Sequence, residues 1–94
     1  MTPIPASTNK PGKPIPVRGN PTVIAITPNG TTAYVADKGN YNGDTVTPIN
    51  LATGTPGPPI KVGSVPIAIA ITPDGRTAYV VNNFGNTVTP IRLR

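Results

Sequence analysis

Few side chains in this 94-residue chain could do chemistry. Asp37, Asp44 and Asp74 are its only acids, and it has no histidine and no cysteine. A Ser/His/Asp or Cys/His constellation therefore cannot form, thiolate metal sites and disulfides are excluded, and proton transfer would fall to three scattered aspartates. Asp74 precedes a glycine and is matched earlier in the chain by Asn29-Gly30, which marks it as a turn residue. The segment Asp37-Lys38-Gly39-Asn40-Tyr41-Asn42-Gly43-Asp44 alternates oxygen ligands as a calcium loop does. It lacks the full spacing and the closing glutamate, and reads as a lengthened hairpin loop. The expectation is a protein that is not an enzyme and carries no cofactor and no metal.

What remains is binding chemistry. Arg18, Asn20, Lys38, Tyr41, Asn42, Asn82, Asn83 and Phe84 are the candidate ligand-binding residues. They can act together only if the elements bring their separate loops to one end of the molecule, as loops on a rigid scaffold do.

Those elements follow from an internal repeat. Residues 2–36 align without gaps on 47–81 at an offset of 45, with twenty of thirty-five positions identical. Thr45-Val46-Thr47-Pro48-Ile49 then recurs as Thr87-Val88-Thr89-Pro90-Ile91 at an offset of 42, so the first copy holds a three-residue insertion between Ala36 and Thr45. Within each copy, short runs rich in Val, Ile, Thr and Tyr are cut by turn residues, an all-β pattern with no helical periodicity. Strand A is expected at Thr22–Thr27 and Ile67–Thr72, B at Thr32–Ala36 and Thr77–Val81, C at Thr45–Leu51 and Thr87–Leu93. Strand D is expected at Lys13–Val17 and Pro59–Val62. Asn29-Gly30 and Asp74-Gly75 suit type I′ turns. Pro48 and Pro90 fall inside strand C, where their missing N–H requires a bulge or a break in the C-to-D ladder.

Four antiparallel strands per repeat of 42 to 45 residues describe a β-propeller blade. The segments Pro21–Ala36 and Pro66–Asn82, followed by Asn86–Ile91, resemble the YVTN-type β-propeller repeat family. The resemblance covers nearly all of the chain after about residue 12. It implies an extracytoplasmic propeller; the N-terminus shows no apolar stretch behind a charged one, so no signal peptide is expected and the sequence assigns no compartment. No apolar run approaches the roughly 20 residues of a membrane helix.

The expected organisation is an N-terminal arm at 1–12, a shared-blade strand D plus blade A-B-C at 13–58, and strand D plus a second A-B-C at 59–94. Two blades cannot close a ring, and roughly three repeats are needed for such units to be stable. The chain is therefore expected to self-associate head to tail, as a six-bladed trimer first and an eight-bladed tetramer second. Residues 13–17 of one copy would complete the sheet ending in Thr87–Leu93 of the next, with Ile15, Val17, Val88, Ile91 and Leu93 at the contact and residues 2–9, left without a slot in the ring, peripheral or flexible. Tyr34 and Tyr79, equivalent in strand B, are expected in the core. The net charge of +5 raises a second reading, a basic ring that binds nucleic acid or an anionic polymer or surface. The basic residues are scattered and not interleaved with stacking aromatics, which favours solvated charge.

Overall fold

Short β-branched runs separated by Pro-Asn-Gly or Pro-Asp-Gly satisfy their backbone polar groups most simply by pairing with the next run along the chain. In the computed structural model, which describes residues 1–4, 12–17, 19–38 and 43–93, that pairing yields two antiparallel sheets. The first holds β1 (Pro21–Ile26), β2 (Thr32–Asp37) and β3 (Thr45–Asn50), with the short β4 (Thr55–Pro56) and β5 (Ile60–Lys61) both paired to β3. The second holds β6 (Pro66–Ile71), β7 (Thr77–Asn82) and β8 (Thr87–Arg92).

The turns depart from type I′. Gly30 and Gly75 take positive φ, 75° and 72°, but Asn29 and Asp74 do not. Pro28 and Pro73 stand one residue earlier, and their rings hold φ near −65°, so each turn is of type I and closes on a left-handed glycine. Gly30 N–H donates to the Thr27 carbonyl at 2.9 Å and Gly75 N–H to that of Thr72 at 2.8 Å. Asn29 Oδ1 accepts from the hydroxyls of Thr27 and Thr31, and Asp74 Oδ1 accepts from the Thr72 hydroxyl and Arg76 N–H. The Thr72 and Arg76 bonds stabilise the Asp74 carboxylate and lower its pKa.

Pro48 sits inside β3 at no cost to the ladder. Its carbonyl accepts from Gly57 N–H at 2.7 Å, so its ring nitrogen faces the same outer side. There the partner strand is interrupted between β4, opposite Ile49 and Asn50, and β5, opposite Thr45 and Val46.

Alternation gives each sheet two unlike faces. In the first sheet Ala25, Tyr34, Ala36, Val46 and Pro48 share a tyrosine face, and Ile24, Ile26, Ala33, Val35 and Ile49 an isoleucine face. The second sheet repeats both, with Ala70, Tyr79, Val81, Val88 and Pro90 on one side and Ile69, Ile71, Ala78, Val80 and Ile91 on the other. The central core joins unlike faces. Tyr34, Ala36 and Val46 of the first sheet meet Ala78 and Val80 of the second, with Val62, Ile60 and Leu93 alongside.

The isoleucine face of the first sheet carries the N-terminal segment. Ile15 is buried against Ala33, Val35 and Ile49, flanked by Met1, Val17 and Leu51. Ile15 N–H donates to the Met1 carbonyl at 2.6 Å, the Met1 ammonium donates to the Ile15 carbonyl at 3.2 Å, and Gly12 N–H donates to the Pro3 carbonyl at 2.6 Å. Residues 5–9 lie outside the described residues; in the single chain residues 13–17 are seated on the first sheet and not in a strand, and residues 1–4 are bonded to them. The reason is that burying Ile15 removes water from its peptide groups, which must then find backbone partners.

Candidate functional site

The loops that enter β1 and leave β2 are tied by Lys38 N–H donating to the Asn20 carbonyl at 3.1 Å, and their second-repeat counterparts by Asn83 N–H donating to the Val65 carbonyl at 2.9 Å. These bonds hold Asn20 beside Lys38, and Val65 beside Asn83, at the loop end of each sheet. Arg18, Tyr41 and Asn42 lie outside the described residues. Phe84 is 57% exposed and Asn83 is exposed.

Asn82 is a correction. It is 1% exposed, and its amide donates to Thr89 Oγ1 at 2.8 Å and Thr87 Oγ1 at 3.2 Å. It pegs the loop end of the second sheet from within and is not open to a ligand. The equivalent position in the first repeat is Asp37, whose carboxylate accepts from Asn20 N–H at 3.0 Å and the Thr45 hydroxyl at 3.3 Å. The alignment of Asp37 with Asn82 is the sequence signal for this shared role.

Gly63 is fitted to the Asn82 peg. A Cβ there would lie 2.7 Å from Asn82 Cγ and Nδ2, closer than atoms in a packed interior approach. Gly63→Ala is expected to destabilise the chain by about 1–3 kcal/mol, read from the urea midpoint.

A cleft opens at the opposite end, between the β1–β2 and β6–β7 turns. It measures about 620 Å³, and Thr27, Asn29, Tyr34, Asp74, Arg76 and Arg92 are among its lining residues. It unites residues some 45 positions apart in sequence, which no local pattern could place together. One carboxylate and two guanidiniums equip it for polar recognition. Among the described residues no group of three or more metal-ligating side chains occurs. The Lys61–Asp44 ion pair, 3.5 Å long, is exposed on both sides and contributes little.

Tyr34 at the floor of the cleft has its pKa raised from the ordinary phenol value by burial. Because the folded value lies above the unfolded one near 10, the unfolded chain loses this proton first. The associated stability is complete below pH 10 and is lost as pH rises through the folded value. The chain is expected to lose stability above pH 10, and Tyr34→Phe to remove part of that loss, as measured by denaturation at pH 9 and pH 11.

Of the five expected contact residues, Ile91 and Leu93 pack into the central core and Ile15 and Val17 against the first sheet. These four side chains are thus already packed within one chain before any second copy meets them. Val88 is 55% exposed on the tyrosine face of the second sheet. Tyr79 departs from the core expectation for the same reason: it is 45% exposed where Tyr34 is 9% exposed, because the second sheet covers Tyr34 and nothing among the described residues covers Tyr79.

No family model matches the chain, and no curated protein matches it. Among solved structures, a chain of the Kuenenia stuttgartiensis hydrazine synthase is similar over 97% of this chain, with a TM-score of 0.89 and 33% sequence identity. The chain spans 26% of that protein's chain.

Proposed function

We propose that this chain is a non-enzymatic binding or scaffold module made of YVTN-type β-propeller blades, and that it works by self-association head to tail. One observation carries this reading. The two unlike faces that meet inside the chain are repeated, position for position, on its two outer sides. Tyr79 and Val88 on the second sheet match Tyr34 and Val46, and Ile24, Val35 and Ile49 on the first sheet match Ile69, Val80 and Ile91. The internal junction is thus a working example of the contact between copies, and a heterologous contact of this kind closes into a ring when its rotation permits.

Exposed Tyr79, Val81 and Val88 form the contiguous apolar surface such a contact requires. Six blades from three copies is the proposed ring, with eight blades from four copies second, both within the usual propeller range. Sedimentation equilibrium at micromolar concentration is expected to return the mass of three chains, or of four. A mass of one chain would overturn the proposal.

A further inference from the structure

We infer that residues Met1–Ile4 are a placeholder strand, and that in assembly β8 of a second copy displaces them and pairs with residues 12–17. The inference rests on the proposed self-association and specifies the edge at which it occurs.

The hydrogen bonds of the N-terminal segment superpose on those of the first sheet's outer edge through the repeat. In the first sheet β3 pairs with β5, Val46 opposite Ile60 and Thr45 opposite Lys61, and Pro48 accepts from Gly57 N–H at 2.7 Å. At the offset of 45 these become Met1 opposite Ile15 and Pro3 accepting from Gly12 N–H, and both contacts are formed, the latter at 2.6 Å. The N-terminal segment therefore reproduces the β3–β5 edge in miniature.

The side chains agree. Ile15 and Val17 pack with Ala33, Val35, Ile49 and Leu51. Their equivalents Ile60 and Val62 pack with Ala78, Val80, Ile91 and Leu93. Residues 12–17 thus stand where the outer strand of a preceding blade belongs, already seated on the first sheet. Their fold onto their own chain positions them for a neighbour.

The strand that belongs beside them is the equivalent of β3, and the chain has a full-length one in β8. At the offset of 42, Val88 takes the place of Val46 and Thr87 that of Thr45. A second copy's β8 would set Val88 opposite Ile15 and Thr87 opposite Pro16, and direct the Pro90 carbonyl at Gly12 N–H. In the first sheet β3 carries β4 and β5 on its outer edge, whereas β8 pairs only with β7 among the described residues. Six residues of β8 replace four at the N-terminus, and they bring the tyrosine face with them. Exchange thus gains both ladder bonds and apolar burial.

The chain has no cysteine, so engineered pairs report cleanly. Pro16→Cys with Thr87→Cys joins two exposed positions in a non-hydrogen-bonded pair, where Cα atoms lie roughly 4.5 Å apart and a disulfide fits. Mild oxidation of the full-length double variant is expected to link chains head to tail, giving products of two and three chains. Ile15→Cys with Val88→Cys is expected to do the same, while Pro16→Cys with Val88→Cys, slipped by one residue onto the opposite face, is expected to link at least tenfold less.

The Met1 amine, bonded to Ile15 in the free chain, is expected to acylate several-fold faster in the linked product. Linking that ignores register, or an amine equally protected before and after, overturns the inference. If the unmodified chain sediments as an oligomer but neither in-register pair links, this edge is wrong and self-association stands. If the unmodified chain sediments as a monomer and nothing links, both fall.

Discussion

Tyr79→Asp is expected to leave the free chain folded, with stability changed by no more than about 0.5 kcal/mol, and to weaken self-association by at least about 100-fold. The asymmetry is physical. In one chain the Tyr79 ring stands 45% exposed, so a carboxylate there stays hydrated. In the proposed ring the same position is covered as Tyr34 is covered by the second sheet. An unpaired carboxylate buried in that contact costs about 3 kcal/mol or more, and each 1.4 kcal/mol is tenfold in affinity. The Tyr34→Asp counterpart puts the charge inside the central core and is expected to unfold the chain outright. Sedimentation equilibrium beside urea denaturation reads both quantities. An oligomer that tolerates the Tyr79→Asp substitution would show that the tyrosine face is not the contact.

The second large effect concerns stability. Ile49→Ala is expected to destabilise the chain by about 2–5 kcal/mol. Its side chain is wholly buried against Ala33, Val35 and the seated Ile15, so truncation removes transfer energy and leaves a cavity that β2 and β3, locked in register, cannot close. A domain of this size holds roughly 5–15 kcal/mol in total, which places the variant near unfolding at 37 °C. Its repeat counterpart Ile91 is only half-buried, and Ile91→Ala is expected to cost less. Equal losses at the two positions would mean that the N-terminal segment does not bury Ile49 in solution. Urea midpoints for the two variants decide it.

Legibility in the sequence divides along a physical line. All six long strands appear within a residue or so of their expected bounds, because each is set by local signals: β-branched runs, and prolines and glycines that end them. The interruption of the outer strand opposite Pro48 is readable for the same reason, since a missing N–H is a property of one residue. The turn type is not, because two local rules compete there, and the fixed φ of Pro28 and Pro73 prevails over the preference of Asn-Gly and Asp-Gly for positive φ. At the candidate site, the tie between Asn20 and Lys38 follows from strand order, but Asn82 reads as a loop ligand because nothing local tells a peg from a surface amide.

By itself, then, the sequence determined the all-β class, the strand bounds and the existence of two equivalent repeats, since hydrogen-bonding capacity and side-chain alternation are written residue by residue. Tertiary structure alone decided which face of each sheet is covered. Tyr34 and Tyr79 have closely matching neighbours in sequence and opposite fates, because burial depends on what packs above a residue. The same holds for Ile15, whose side chain is apolar by sequence and whose partners, Ile49 beneath it and Met1 beside it, were chosen by the need to satisfy its peptide groups once water was gone.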